Sequence, residues 1–284
     1  MIPPRIVLCP IDFSDLARQE LNLAVEACES FGAKLILHHN VAVTGIGLAR
    51  VWDWQQVHQG EQLSPAAAEL KVRELLAELP ESVGAEAVVS SGPVATIILE
   101  LAARLPADLI VIGSHGWSTL DHASVAERLI DRCQCPVLTV QEGSAPAKPL
   151  RLRPEAGAPP TSVLVPTDLT KAAIQVTQHA FELARALPLR LHLLHATTNG
   201  HASAAEAQLK ELIPPDLADR CECHVERGEA VETIVDAIRR LNPGFAVVGE
   251  HAKGFFHRLL KRDHAREVLH RAECPVWFVP AQAS

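Results

Sequence analysis

The chain has 284 residues, more than one globular domain usually needs, so the sequence predicts two cores. Its net charge is −8 and it contains no long run of lysine or arginine, which argues against nucleic acid or an anionic membrane surface as a partner. No apolar stretch is long enough to span a membrane, and the first residues lack a secretory pattern, so we expect a cytoplasmic protein with no membrane contact.

Short aliphatic strands alternate with helical segments through the first half of the chain. A predicted strand at 6–11 ends in Pro-Ile-Asp and opens a helix at 15–31, and a second strand covers 33–38. A helix at 65–79 and another beginning near 94 precede a fourth strand at 108–113, and a fifth follows Cys135-Pro136. Near-continuous aliphatic strands between helices predict parallel sheets covered on both faces.

The second half repeats this pattern. Pro-x-Asp recurs at 166–168 after another β-branched run, a strand-like segment at 189–195 answers 33–38, and 244–249 answers 108–113. Cys274-Pro275 opens the last strand as Cys135-Pro136 does. The predicted fold class is therefore α/β, with two tandem Rossmann-like domains.

The repeat also predicts the domain boundaries. We expect a first domain at 1–142, a linker at 143–161 that is rich in proline, alanine and glycine, and a second domain at 162–284. The first half is about twenty residues longer, which predicts an insertion at about 43–63. Trp52 and Trp54 within it fit either a lid or dimer contact, or an ordinary surface excursion whose rings cover the sheet.

Seven cysteines, an odd number spread over a long chain, argue against a disulfide framework and favour a reducing compartment. Cys133-x-Cys135 and Cys221-x-Cys223-His224 suggest a metal, but neither has the two-residue spacer with which two thiolates usually hold zinc. The alternative is that these cysteines are small buried hydrophobic residues in strands or at helix ends. We predict no metal site.

Candidate site residues lie where a parallel sheet binds ligands, beyond the carboxyl ends of its strands at the point where strand order reverses. Asp12 follows the first strand, and Gly113 and Gly116 follow the fourth, so we expect them to face one crevice. The glycines would let phosphate approach the backbone, Ser124 could cap the next helix and donate to phosphate, and Asp12 suits ribose hydroxyls. Alternatively, the glycines only form a tight turn and Asp12 only caps a helix.

Together these motifs resemble the universal stress protein family. They are the Pro-x-Asp strand end, Gly113-Ser-His-Gly116, Ser124-Val-Ala-Glu-Arg128 and the closing Cys-Pro-Val strand. The resemblance covers nearly the whole chain, once per half. It implies HUP-type domains, each with a five-stranded parallel sheet in the order 3-2-1-4-5, whose fifth strands pair across domains to form a pseudo-dimer. It also allows a homodimer. One branch of the family binds ATP through a Gly-x2-Gly-x9-Gly-Ser/Thr motif, and the other lacks the motif and does not bind ATP.

Both halves depart from the ATP-binding motif. The first keeps both early glycines and Ser124, but its loop is three residues short and Ala123 replaces the third glycine. The resemblance implies the following nucleotide-binding positions in the first domain: Pro10, Ile11, Asp12, His39, Ile112, Gly113, Ser114, His115, Gly116, Ala123, Ser124 and Val125. His39 stands where the family usually has an aliphatic residue, and it could stack on adenine or line an empty cavity.

The second half keeps the loop length but not the residues of the motif. Its degenerate site comprises Pro166, Asp168, Ala196, Gly249, Ala252, Arg262 and Asp263. The Asp263 carboxylate would repel phosphate, although Arg262 and Lys253 could offset it. The first domain is therefore the preferred site for ATP.

We expect a stress-response protein that binds ATP or another adenylate, with or without Mg²⁺, and acts through conformation or interaction rather than turnover. One alternative is an interaction or scaffold protein whose crevices have degenerated. Another is a weak ATPase, in which Asp121 would hold magnesium and His115 would act as base, whereas a merely solvated loop explains the same residues. No transferase signature is present, and we predict no catalytic residues.

Overall fold

A computed structural model describes residues 3–41, 63–114, 124–140, 152–154, 157–198, 202–249 and 263–280. The chain divides into two compact units, Pro4–Glu142 and Gly143–Ser284. The predicted insertion at 43–63, with Trp52 and Trp54, lies almost entirely outside the described residues. Within the part of the chain that is described, no helix combines the length and apolar character needed to cross a membrane.

The first unit alternates strands and helices from its start. Its elements are β1 Ile6–Ile11, α1 Asp15–Phe31, β2 Lys34–Val41, α2 Pro65–Ala77, β3 Ala85–Ser91, α3 Val94–Arg104, β4 Leu109–Gly113, α4 Val125–Arg132 and β5 Val137–Val140. All pairings among its strands are parallel and give the order β3-β2-β1-β4-β5.

The second unit repeats this arrangement. Its elements are β6 Thr161–Pro166, α5 Lys171–Ala186, β7 Leu189–Thr197, α6 Ala202–Leu212, a 3₁₀ helix Pro215–Arg220, β8 Cys221–Arg227, α7 Ala230–Leu241, β9 Phe245–Gly249, α8 Asp263–Arg271 and β10 Val276–Val279. The strands are again parallel, in the order β8-β7-β6-β9-β10. The α/β class predicted from the sequence is confirmed.

The central strands form because their side chains are buried on both faces. Every residue of β4 and β5 is buried, as is nearly all of β1, and this accounts for their mostly aliphatic composition. Helix α1 packs on β1 and β4 and ends at Gly32, whose φ of 68° lies in the left-handed region that glycine adopts without strain. This packing fixes where α1 begins, directly after the loop that follows β1.

The third strand of each unit, β3 or β8, lies at the edge of its sheet. Neither strand was predicted from the sequence. Strand β3 is half-buried or exposed along its length, and so is β8, because each pairs with only one neighbour in its unit. Their compositions accordingly mix polar residues with small or aliphatic ones. Strand β6 begins at Thr161, the last residue of the predicted linker.

Candidate functional site

The crevice of the first unit lies where its strand order reverses. Strands β1 and β4 are adjacent and parallel, β2 lies on the far side of β1, and β5 lies on the far side of β4. After β1 the chain crosses to β2 on one side of the sheet, and after β4 it crosses to β5 on the other side. The two connections diverge, which opens a gap at the carboxyl ends of β1 and β4. Asp12 follows β1 and Ser114 follows β4, so both residues stand at this edge.

A small pocket occupies this edge. The enclosed space is about 10 Å³, roughly what one water molecule requires. Five residues predicted from the sequence line it: Pro10, Ile11, Asp12, Ile112 and Val125. Five others that line it were not predicted: Glu20, His38, Asn40, Val94 and Ile98. The pocket therefore admits only small groups.

Asp12 shapes the loop after β1. Its Oδ1 accepts a hydrogen bond of 2.9 Å from the Ser14 N–H, and between them Phe13 adopts a φ of 61°, in the left-handed region. This is an Asx turn that leads into α1. The N-cap of α1 is Ser14, so Asp12 shapes the turn before the helix and does not itself cap the helix. Only one carboxylate oxygen takes part in that bond, and the other can accept from a ligand.

His39 closes one side of the same loop. Its Nδ1 lies 2.9 Å from the Ile11 carbonyl oxygen, and because a carbonyl can only accept, Nδ1 carries the proton. The imidazole contacts the Phe13 ring at a centroid separation of 4.3 Å, and the Lys71 ammonium lies 4.7 Å from the centroid of that ring. A cation over an aromatic face is attracted to the ring, so Lys71 of α2 places a positive charge next to the loop after β1.

Glu20 places a buried carboxyl beneath the crevice. The side chain reaches from α1 to the end of β4, where the Gly113 N–H hydrogen-bonds to it. Burial, and then the nearby Asp12 carboxylate, raise the pKa of Glu20 from 4.5 to about 8. At neutral pH the carboxyl is mostly protonated. The sequence does contain a signal for this buried carboxyl. Glu20 comes four residues after the buried Leu16, so it lies on the apolar face of α1, where a glutamate is unusual.

The space taken by Glu20 also explains Gly113. A Cβ at this position would collide with the Glu20 carboxyl and would lie 2.6 Å from Leu16 Cδ2. The glycine is therefore required by the helix packed against β4, in addition to any role toward a ligand.

A polar network extends the pocket toward β3. His38 Nε2 lies 2.7 Å from Ser90 Oγ, the Ser90 hydroxyl lies 3.4 Å from Asn40 Oδ1, and the Asn40 amide donates to the Gly92 carbonyl at 3.0 Å. His38 is 1% exposed, and burial lowers the pKa of its imidazole to about 4. Its Nδ1 is buried and has no hydrogen-bond partner among the described atoms.

Helix α4 begins at the opposite wall. Ser124 is its N-cap, and its Oγ accepts from the Glu127 N–H at 3.1 Å, which leaves the hydroxyl proton for another acceptor. The Ser114 N–H donates to the Val140 carbonyl at 2.7 Å, which continues the pairing of β4 with β5 by one residue. His115, Gly116, Asp121 and Ala123 lie outside the described residues.

The second unit builds the same turn. Asp168 Oδ1 accepts from the Thr170 N–H at 3.0 Å and from its hydroxyl at 2.6 Å, and Leu169 has a φ of 64°. His195 Nδ1 lies 2.9 Å from the Thr167 carbonyl oxygen, the contact that His39 makes in the first unit. The sequence analysis placed Ala196 here, but the residue that makes this contact is the preceding one.

The two units differ beneath the fourth strand. A Cβ on Gly249 would lie 2.6 Å from Cγ2 of Val176, so Val176 occupies the place that Glu20 has in the first unit. Pro166 ends β6 as predicted. Ala252 and Arg262 lie outside the described residues, and Asp263 is described only as the first residue of α8.

Comparisons with known proteins agree on one family. The model of the universal stress protein family matches residues 4–141 and 160–280. A universal stress protein from Methanocaldococcus jannaschii is 29% identical over 140 residues, which cover 48% of this chain and 81% of the relative.

Two solved structures share the fold over almost the whole chain. A universal stress protein from Archaeoglobus fulgidus has a TM-score of 0.71 and 18% identity, covering 97% of this chain and 96% of that one. A functionally unknown protein from Pseudomonas aeruginosa has a TM-score of 0.62 and 17% identity, covering 98% of this chain and 93% of that one.

Proposed function

The chain belongs to the universal stress protein family, and on that premise we propose that the crevice of its first unit binds an adenine nucleotide without turnover. The observation that carries the proposal is that Asp12, directly after β1, and Ile112, near the carboxyl end of the neighbouring strand β4, line one pocket with the first residue of α4. One branch of this family binds ATP, so the chemistry of these groups can be assigned to parts of a nucleotide.

The ribose would lie at the end of β1. The Asp12 oxygen not used in the Asx turn would accept from the ribose hydroxyls, and charge-assisted bonds of this kind contribute about 1.5–3 kcal/mol each. The adenine ring would lie toward His39 and Phe13, whose contact provides an aromatic surface.

The phosphates would lie at the start of α4. The Ser124 hydroxyl and the first N–H groups of the helix provide donors, and the helix dipole favours negative charge there. The protonated Glu20 carboxyl adds no negative charge beneath this site at neutral pH. The ligand is proposed to be ATP or another adenylate, with or without Mg²⁺, and the bound nucleotide would hold the two walls of the crevice together.

The second unit is proposed to bind nucleotide more weakly. It keeps the turn of Asp168 and His195, but Val176 replaces the buried carboxyl. We expect the second unit to stabilise the folded chain through packing and not to recognise a ligand.

A matched pair of substitutions tests the proposal. ATP, ADP and AMP are titrated calorimetrically, with and without Mg²⁺, into wild-type chain, Asp12→Asn and Asp168→Asn, after denaturing a sample to detect copurified nucleotide. Asparagine retains the Asx turn in both units. We expect Asp12→Asn to weaken binding by roughly 10- to 100-fold, in line with the energy of such bonds, and Asp168→Asn to leave the stronger site unchanged. Equal effects of both variants would contradict the assignment.

A second candidate is an interaction protein whose crevices no longer bind nucleotide. The shortened loop of the first half, with Ala123 in place of the third glycine of the ATP-binding motif, favours it. The absence of saturable binding by wild-type chain, combined with nucleotide-free purified protein, would support this candidate over the first.

A further inference from the structure

A cluster of three side chains on the sheet of the second unit lies away from the crevice. His192 is on β7, and Glu222 and His224 are on the neighbouring strand β8, whose register pairs His192 with Glu222 and Leu194 with His224. His192 Nδ1 lies 3.0 Å from His224 Nε2 and 3.4 Å from Glu222 Oε2, and the three ligand atoms all lie within 4.8 Å of one another.

These distances suit a metal ion as well as they suit a hydrogen bond. Two nitrogens bound to one tetrahedral zinc at 2.0–2.1 Å are separated by about 3.4 Å, and the two histidine nitrogens are within a few tenths of an ångström of that. Two imidazoles and one carboxylate are a common ligand set for divalent transition metals, with further positions left to water. If each imidazole carries its proton on the nitrogen that faces away from the other ring, the facing nitrogens, His192 Nδ1 and His224 Nε2, both have a lone pair for the metal.

The first unit shows that the fold does not need these histidines. In its sheet Ile36 pairs with Glu86 and His38 pairs with Val88, so Ile36 and Val88 occupy the positions of His192 and His224. Only the carboxylate is common to both units, and it pairs with a cation in each, Lys34 with Glu86 and Arg190 with Glu222. His192 is only 8% exposed, so placing a second imidazole against it is unfavourable unless both nitrogens gain a partner.

The charges around the cluster are balanced. Arg190 donates to Glu222 Oε1 at 2.7 Å, which turns Oε2 toward the histidines, and Arg240 pairs with Glu226. The site is also accessible, because the Glu222 side chain is 46% exposed. An incoming cation therefore meets two imidazoles and a carboxylate held in place.

The geometry points to a binding site for one divalent transition metal ion of the zinc class, formed by His192, Glu222 and His224. Cys221 and Cys223 were considered as metal ligands in the sequence, but alternation along β8 puts them on the opposite face, where Cys223 lies near Lys210 and Glu206 of α6. The site is independent of the nucleotide crevice.

The test measures metal binding to the full chain after chelator treatment. Zn²⁺ and Co²⁺ are titrated into wild-type chain, His192→Ile, His224→Val and the double variant Cys221→Ser/Cys223→Ser. The histidine replacements are the residues found at the equivalent positions of the first unit, so the sheet is expected to accept them. We expect either histidine variant to lose one equivalent of metal, with affinity weakened by more than about 100-fold, and the cysteine variant to retain it.

The Co²⁺ spectrum identifies the ligands independently of the variants. Coordination by nitrogen and oxygen without sulfur-to-cobalt charge transfer supports the site, and the same spectrum in His224→Val overturns it. Should His192→Ile not fold, Glu222→Gln replaces it, since its side chain is largely exposed. Loss of the metal in the cysteine variant, or unchanged stoichiometry in both histidine variants, would overturn the proposal.

Discussion

Replacing Glu20 by glutamine is expected to stabilise the protein, in a manner that depends on pH. Glutamine has nearly the same shape as the protonated carboxyl, and its Oε1 can accept the hydrogen bond from Gly113. It cannot ionise. The variant therefore removes the free-energy cost of holding a titratable carboxyl in a buried position while preserving its contacts.

The sign follows from proton binding. The pKa of Glu20 is about 8 in the folded chain and 4.5 without burial, so between these values the folded chain holds a proton that the unfolded chain releases. The contribution of Glu20 to stability is thus most favourable below pH 4.5 and is lost as the pH rises to about 8. Each pH unit costs about 1.4 kcal/mol, which gives roughly 3 kcal/mol at pH 7 and a limit of roughly 5 kcal/mol above pH 8.

Two measurements check this reasoning. Free energies of unfolding from urea denaturation between pH 5 and 9 are compared for wild-type chain, Glu20→Gln and the exposed control Glu100→Gln. The advantage of Glu20→Gln should grow from pH 5 to 8 and then stay constant, while the control shows none. Titration of ¹³C-labelled glutamate carboxyls should show one midpoint near pH 8 that Glu20→Gln abolishes. A difference in stability independent of pH, or no such midpoint, would refute the reasoning.

Three further predictions concern a glycine, two helix caps and a buried histidine. Gly249→Ala should lower the free energy of unfolding by about 1–3 kcal/mol, because its Cβ would lie 2.6 Å from Val176 Cγ2, and Val176→Ala in the same chain should restore part of the loss in urea denaturation. Ser124→Ala and Ser64→Ala each remove a helix cap and should each cost about 1 kcal/mol of stability, but only Ser124→Ala should weaken nucleotide binding by calorimetry; equal binding by the two would contradict the crevice assignment. Burial lowers the pKa of His179 to about 4, so the folded chain resists a proton that the unfolded chain binds near pH 6.5. This residue should therefore lower stability by roughly 3 kcal/mol as the pH drops from 6.5 to 4, in addition to a similar contribution from His38. His179→Phe should remove its share of that loss in thermal unfolding, and an unchanged profile would contradict the prediction.

The sequence was sufficient for those parts of the fold that depend on burial and turn chemistry. Aliphatic runs identified β1 and β4, and the repeated Pro-x-Asp revealed the duplication. It was insufficient for β3 and β8, because edge strands carry polar residues that do not differ from those of loops.

The candidate site was predictable in the same uneven way. Asp12 and Ile112 could be assigned because topology alone fixes where neighbouring strands end. Glu20 and His38 could not be assigned, because their proximity depends on tertiary packing. Glu20 reaches the end of β4, about ninety residues away along the chain, through the packing of α1, and His38 is placed by the pairing of β2 with β1. Likewise, the Cys221 and Cys223 spacing drew attention to thiols, whereas the cluster formed across two strands from alternate residues.

The turn shared by Asp12 and Asp168 has a consequence for recognising ligand-binding members of this architecture. Because each aspartate and its partner histidine hold the backbone together, selection for folding alone would preserve both side chains in a copy that binds nothing. Their presence is therefore a poor diagnostic of activity. The two copies do differ at the helix residue packed beneath the glycine that ends the fourth strand, which is a glutamate in one copy and a valine in the other.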